Sequence, residues 1–359
     1  MINLEREIQA VLEGKQRYGL LWGDCQQVLD NFPAESIDCV ITSPPYWKLR
    51  DYEIDDDQVD ILIGNEDDPK EYVNRLVEMF GKVKRVLKPT GSLWLNIGDK
   101  YYNKNLMGMP WRVALGLQDN GWILRNDIVW DQMKGTQSVK DRLRDVYEHI
   151  FHFVKQPKYY YDHDKIRIKP EKQPTTNGNG IISATGVSGK KYREQISSST
   201  RLNEQERRAA LNALEDTLSK MRRGEIVDFR MTIRGQQRTY HSDSKQVSGR
   251  AKEIEDKGFF IMTSHAKGYI PSDIWRIVPE DVWRKDAHYA VFPIELLKTP
   301  LEATCPPNGL VLDPFMGTGS TIAAAIHFGN RGLGIEISQK YIQVAEERLK
   351  ENSIQMSFY

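Results

Sequence analysis

Two short apolar runs, about 270 residues apart, each end in a cluster that turns the chain sharply and presents polar atoms. The first, Ile37-Asp38-Cys39-Val40-Ile41, runs into Thr42-Ser43-Pro44-Pro45-Tyr46-Trp47. The second, Leu310-Val311-Leu312, runs into Asp313-Pro314-Phe315-Met316-Gly317-Thr318-Gly319-Ser320-Thr321. Apolar runs of this length, bounded by Pro and Gly, read as buried strands. The Ser-Pro-Pro-aromatic cluster puts a polar oxygen, a stiff turn and a stacking ring at the end of such a strand, a combination suited to holding a planar amine.

The chain around these runs alternates strand and helix signals. Strands are expected at 19–24, 37–41, 92–97, 122–130 and 147–154, and helices at 69–87 and 110–118. Asp68 before Pro69 is an N-cap followed by proline at the first helical position. From 156 to 268 the pattern degrades. Residues 175–199, rich in Gly, Ser, Thr and Asn, read as a long loop, and 203–223 as a helix. From 271 the alternation returns, with strands at 310–313 and 332–336 and helices at 321–328 and 339–351. This predicts an α/β fold, a mostly parallel sheet covered on both faces. Residues 1–155 and 271–359 form one domain in this reading, with 156–270 inserted. A length of 359 residues accommodates both.

No stretch approaches the roughly 20 apolar residues of a membrane span, and the N-terminus lacks an apolar signal core, so a cytoplasmic protein with no membrane partner is expected. Cys25, Cys39 and Cys305 form no Cys-x-x-Cys pair. They are expected to be buried small residues rather than disulfides or metal ligands, and no metal site is expected. Lys plus Arg and Asp plus Glu number 50 each, but residues 165–267 hold 21 basic against 12 acidic residues. A basic segment inside an acidic protein points to a polyanion, with a solvated, salt-bridged surface as the alternative. Arg222, Arg223, Arg230, Arg234 and Arg238 are the candidate phosphate or guanine contacts there. His149 and His152 are expected in core or surface roles, and Trp22, Trp94, Trp111 and Trp130 in the core.

In the second cluster Gly317 and Gly319 allow close backbone approach to a ligand. Glu336, at the end of the next strand, is placed to accept hydrogen bonds from ribose hydroxyls. The pattern departs from the dinucleotide fingerprint: a third glycine is missing, and Asp313 would repel a pyrophosphate but pair with a cationic amino acid. That favours S-adenosylmethionine over NAD or ATP, the alternative being a tight strand–helix turn with no ligand. In the first cluster two prolines remove two backbone donors. The Ser43 hydroxyl and Pro44 carbonyl can then accept the two N–H bonds of an exocyclic base amine, with Tyr46 stacking on the base. Pro-Pro-Tyr alone is also compatible with a surface turn or a Pro-rich ligand. A duplex base methylated on that edge has to leave the stack.

These two signatures, Ser43-Pro44-Pro45-Tyr46 and Asp313 to Gly319, resemble those of the amino-methylating DNA methyltransferases. Their order, catalytic motif first, is similar to the circularly permuted β group, and the resemblance covers about two-thirds of the chain. It implies the Rossmann-like S-adenosylmethionine-dependent methyltransferase fold with a target-recognition region at 156–270. It also implies duplex DNA as partner, a restriction-modification system with a cognate endonuclease or else an orphan methylation system, a monomer or homodimer, and a prokaryotic or phage origin. Carried over by motif, Asp24 lies near the adenine, and Phe292-Pro293 with Glu295 and Leu296 near the methionine end. Asp313, Phe315, Gly317, Thr318 and Gly319 form the cofactor loop, Glu336 holds the ribose, and Asp99 lines the pocket. Ser before Pro-Pro is the commoner pattern of cytosine-N4 enzymes, and Asp of adenine-N6 enzymes, so cytosine-N4 is favoured with adenine-N6 as the alternative. Cytosine-C5 chemistry needs a Pro-Cys nucleophile, which is absent. A DNA-binding regulator on a degenerate methylase fold is the non-enzymatic alternative.

Overall fold

The computed structural model describes residues 4–48, 62–133, 138–177, 180–236, 249–279 and 292–356. In chain order the elements begin with α1 (Leu4–Leu12), β1 (Tyr18–Trp22), α2 (Cys25–Leu29), β2 (Ile37–Thr42), α3 (Pro69–Val86) and β3 (Leu87–Ile97). There follow β4 (Tyr101–Tyr102), β5 (Asn105–Leu106), α4 (Met109–Asp119), β6 (Ile123–Asp131) and β7 (Tyr147–Val154). Next come β8 (Thr175–Asn177), β9 (Gly180–Ile182), α5 (Gly189–Ser198), α6 (Glu204–Arg222), β10 (Ile226–Ile233), α7 (Arg250–Lys257) and β11 (Phe259–His265). The chain ends with β12 (Ile274–Arg276), α8 (Ile294–Thr304), β13 (Leu310–Asp313), α9 (Ser320–His327), β14 (Arg331–Glu336) and α10 (Gln339–Met356). The chain divides into two compact units, Met1–Lys165 with Ser272–Tyr359, and Ile166–Pro271.

The first unit is an eight-stranded sheet in the order β1-β14-β13-β2-β3-β7-β6-β12. From β1 to β3 every pairing is parallel, and β7 runs antiparallel to both β3 and β6. Successive strand residues point to opposite faces, and the core splits accordingly. Val40, Leu93, Leu95, Leu310 and Leu312 pack under α1–α4, whereas Cys39, Ile41, Trp94 and Val311 pack under α8 and α9. β2 and β13 lie side by side in parallel register, Cys39 against Val311 and Val40 against Leu312. Parallel neighbours end on the same edge of a sheet, so the turns after Thr42 and after Asp313 emerge together.

Helix α3 shows how local sequence fixes one cover. Asp68 caps it, accepting from Lys70 N at 2.8 Å, and Pro69 opens it. Tyr72, Leu76, Met79, Phe80 and Val83 then recur at three- and four-residue spacing and are completely buried. Truncating one of them, Phe80 to alanine, removes burial worth ~3–5 kcal/mol. His152 is a core histidine: its ring stacks on Trp94 at 4.2 Å, and burial pushes its pKa down to about 3, so it stays neutral. Residues 156–165, assigned to the insert from sequence, belong to the first unit. Tyr160 N donates to Thr90 O, and Asp162 N to Ala303 O.

The second unit packs α5 and α6 on the antiparallel β10–β11 pair, with Ile196, Leu214, Leu218, Phe229 and Met231 at its centre. Asn203 and Glu206 form a reciprocal capping box at the start of α6. The expected loop at 175–199 is instead β8, β9 and α5. Ile181 and Ile196 are buried in one cluster with α6, and Val187 and Tyr192 pack against it, so tertiary packing overrides a composition that favours loops. Helix α8 went unread because Pro300 lies inside it. Trp94 and Trp130 are buried as expected, but Trp22 and Trp111 are 50% and 43% exposed. Trp22 lies across the surface with Nε1 bonded to Ile337 O, and Trp111 meets His149 and Phe151 edge-on. Among the described residues no helix is long and apolar enough to cross a membrane.

Candidate active site

Where β2 and β13 end, the first unit opens into a cleft of about 340 Å³, within the ~300–1,000 Å³ of small-molecule sites. Ser43, Pro44, Pro45 and Tyr46 line one part of it. Asp24, Phe292, Asp313, Phe315, Gly317, Thr318 and Glu336 line the rest. The two sequence clusters therefore share one cavity. Thr42 Oγ1 donates to Asp313 Oδ1 at 2.6 Å, joining them directly.

On the Ser43 side, Tyr46 is held at both ends. Its hydroxyl donates to Glu148 Oε2 at 2.6 Å and accepts from Asn96 Nδ2 at 2.7 Å. Asn96 Nδ2 also reaches Glu148 Oε2 at 2.7 Å, and Ser43 Oγ lies 3.2 Å from the phenol oxygen. Burial, and then the Glu148 charge, hold the phenol well above its ordinary pKa, so it remains protonated. The Tyr46 ring lies against Gly98, where any Cβ would come within 2.7 Å of Tyr46 Cε2. Tyr72 Oη donates to the Pro45 carbonyl at 2.9 Å and fixes the turn from below.

On the Asp313 side, Gly317 takes φ +54°, and a Cβ built there meets nothing within 4 Å because it projects into open space. Gly317 N donates to Glu336 Oε2 at 2.8 Å, and Ser338 N to Glu336 Oε1 at 2.9 Å. Asp313 Oδ1 also accepts from Phe315 N at 3.0 Å. Both carboxylates are costly to ionise: burial pushes Asp313 up to about 6 and Glu336 up to about 7. A cavity lined by two such acids suits a ligand that offers hydroxyl donors and a positive charge.

Several expected residues lie elsewhere. Gly319 caps α9 with φ +79°, and its Cβ position lies 2.9 Å from Ala345 Cβ, so this glycine serves the packing of α9 on α10. Pro293 is the N-cap residue of α8, outside the cleft lining. Asp99 accepts from Gly108 N and Met109 N and so ties down the start of α4 rather than lining the pocket. In the second unit Arg222 and Arg230 are exposed. Arg223 is paired with Glu225 at 2.5 Å. Arg234 bonds Glu206 at 2.7 Å and Glu255 O at 2.6 Å, so its donors serve its own unit. Arg238 lies outside the described residues. Asn96 and Glu148 were missed, although each breaks a pattern: an amide and a carboxylate within the runs that form β3 and β7.

The DNA methylase family model for N6 and N4 enzymes matches residues 37–347, spanning both clusters and everything between them. The chain belongs to the N6/N4 DNA methylase family. It is 30% identical to the type II methyltransferase M.SfiI of Streptomyces fimbriatus, over 90% of this chain and 89% of that protein. It is 28% identical to M.XycI of Xanthomonas campestris pv. cyanopsidis, over 92% and 87%. Among solved structures, the cytosine-N4-specific PvuII DNA methyltransferase superposes with a TM-score of 0.55 at 17% identity, over 94% of this chain and 90% of that one. A candidate DNA modification methylase of Thermus thermophilus, solved with S-adenosyl-L-methionine, has a TM-score of 0.50 at 20% identity, over 94% and 96%. These two share the fold.

N6/N4 DNA methylases take their methyl group from S-adenosylmethionine, and the cleft of this methylase fits that cofactor. The vacant Cβ position at Gly317 leaves backbone accessible. The buried acids Asp313 and Glu336 match a cationic amino acid and a ribose. Phe292 and Phe315 supply apolar wall.

Proposed function

We propose that this methylase transfers a methyl group from S-adenosylmethionine to the exocyclic N4 of cytosine in a specific duplex DNA sequence. One observation carries the reading: Ser43, which stands before the two prolines, shares a cleft with Gly317, Asp313 and Glu336. The Ser43 hydroxyl and Pro44 carbonyl accept the two N–H bonds of the amine, and the Tyr46 ring lies against the base. The target base reaches them by leaving the duplex stack, because the amine edge is inaccessible within it. Asp313, Phe315, Gly317, Thr318 and Glu336 hold the cofactor, with Asp24 toward its adenine and Phe292 toward its methionine end. When bound, S-adenosylmethionine supplies an electrophilic methyl on a sulfonium centre. The chain contributes position and local polarity. Covalent attack on the ring, as in C5 methylation, finds no support. Cys25 at the cleft has its thiol pushed far up, first by burial and then by Asp24, the opposite of a nucleophile's requirement.

The second unit, Ile166–Pro271, is assigned the reading of DNA sequence on the strength of its basic surplus, with Arg222 and Arg230 at phosphates. The M.SfiI and M.XycI names place those relatives among type II methyltransferases. We assign this chain the same setting, in the cytoplasm beside an endonuclease of matching specificity. The test is to express the gene in a methylation-free host, digest the DNA to nucleosides and weigh them. N4-methylcytosine is the expected product, N6-methyladenine would overturn the base assignment, and unmodified DNA would overturn the enzyme.

A further inference from the structure

Four side chains at the base-holding end of the cleft form one hydrogen-bond chain. Glu148 Oε2 accepts from Tyr46 Oη at 2.6 Å and from Asn96 Nδ2 at 2.7 Å. Asn96 Nδ2 also donates to Tyr46 Oη at 2.7 Å, and Ser43 Oγ stands 3.2 Å from that oxygen. All four residues line the cleft. The Asn96 Oδ1 atom is buried without a partner. That orphaned oxygen has an explanation in the chain itself. Turning the amide over would set an oxygen against the carboxylate, so the nitrogen stays toward the two acceptors and Oδ1 is left unpaired.

We infer that Glu148 is a positioning residue that sets the direction of the Ser43 hydroxyl, and so selects a base carrying an amine over one carrying a carbonyl at the same position. The inference rests on the functional reading above. The single proton of Tyr46 goes to Glu148 Oε2, which accepts it at 2.6 Å. The phenol oxygen then has lone pairs alone to offer its other neighbours. Asn96 fills one with an N–H. Ser43 fills the other, which commits its only proton to Tyr46. What Ser43 presents to the cleft is therefore lone pairs. An exocyclic amine, a donor, is complementary to them. A carbonyl oxygen at the same position, as in uracil or hypoxanthine, meets acceptor against acceptor. Replacing Glu148 by glutamine lets an amide N–H face the phenol oxygen. The Tyr46 proton is then free to turn to Ser43, and the serine proton to turn toward the substrate.

The experiment is a double-mutant cycle of Glu148→Gln and Tyr46→Phe, with methyl transfer to a target duplex and binding of two duplexes, one with cytosine and one with uracil at the target. Circular dichroism and thermal melting establish that each variant is folded. E148Q is expected to lower kcat by about tenfold to a hundredfold, to change KM for DNA far less, and to weaken the preference for cytosine over uracil to what the Pro44 carbonyl alone supplies. Y46F, which keeps the ring and removes the donor, is expected to do the same, and adding E148Q to it should cost less than about twofold more. Equal losses from E148Q in both backgrounds would overturn the chain, as would wild-type kcat or an intact cytosine preference in either single variant. Should E148Q not fold, Y46F alone decides. A wild-type protein that transfers no methyl to DNA removes the functional reading instead, and the binding comparison still judges the hydroxyl direction separately.

Discussion

Thr42 and Asp313, 271 residues apart in sequence, are bonded oxygen to oxygen at 2.6 Å. Thr42 is the last residue of β2, and Asp313 the last of β13. Both are buried, and the same Asp313 oxygen also receives Phe315 N. The turn that presents Ser43 and the loop that presents Gly317 are therefore pinned to each other at their roots, ahead of any contact through a ligand. In a transfer that depends on placing two reactants in line, an ångström of slack between those turns is costly.

Thr42→Val tests this. Valine keeps the shape and β-branching and removes the donor, leaving Asp313 short of a partner. A hydrogen bond to a charged group contributes ~1.5–3 kcal/mol, so thermal stability should fall by that amount. The cofactor Kd should rise about tenfold, because the bond helps Asp313 to ionise. Thr42→Ser, which retains the hydroxyl, should recover most of both. Calorimetric titration and melting curves check the pair, and an unchanged Kd in Thr42→Val would detach this bond from cofactor binding.

Cofactor affinity should depend on pH between about 5 and 8. Burial holds Asp313 at about 6 and Glu336 at about 7, so each ionises only as pH passes those values. A cationic, hydroxyl-bearing ligand binds the ionised forms, so affinity should increase with pH through this window, with proton release on binding, and level off above it. The ligand-free protein should behave oppositely. A carboxylate with a raised folded pKa stabilises the fold below its ordinary value, and that contribution is lost as pH rises through the folded value. The cofactor-induced gain in Tm should therefore be larger at pH 8 than at pH 5.5. Glu336→Gln should remove the upper part of the pH dependence while leaving the part near 6.

Seven of the eight strands of the sheet were legible in sequence because they are short apolar runs ended by turn residues, and α3 because Asp68-Pro69 and the spacing of Tyr72, Leu76 and Phe80 mark it; the three-residue β12 was not read. The pairing of the two clusters was legible as chemistry, since neither makes sense alone. What sequence did not carry was decided by packing over long separations. The partner of Tyr46 is Glu148, 102 residues away, on a strand that reads as ordinary core. Gly319 looked like a ligand contact by spacing, yet Ala345 of a later helix crowds it. Arg234 looked free by charge counting and is engaged by Glu206.

The two glycines of the loop after β13 should respond differently to alanine. At Gly317 a methyl group enters open cleft, so Gly317→Ala should weaken cofactor binding at least tenfold, while stability falls only by the ~1 kcal/mol of a left-handed residue. At Gly319 the methyl meets Ala345, so Gly319→Ala should lower Tm strongly, by strain plus overpacking of ~1–3 kcal/mol. Melting and cofactor titration on the same two variants separate these outcomes. Equal binding losses at equal stability would refute the distinction.

The arginines of the second unit divide in the same way. Arg222 and Arg230 are exposed, whereas Arg234 bridges α6 to the end of α7 through Glu206 and Glu255 O. If the first two meet phosphates, Arg222→Ala and Arg230→Ala should each weaken DNA binding across sequences. Each should also reduce the slope of log K against log salt by about 1, with Tm unchanged. Arg234→Ala should instead lower Tm, because Glu206 loses its ion pair and Glu255 O loses the Arg234 donor. Its salt slope should match the wild type. Fluorescence anisotropy on a short duplex over a range of potassium chloride, run beside melting curves, reads both quantities. A reduced slope for Arg234→Ala with unchanged Tm would return that residue to the DNA surface.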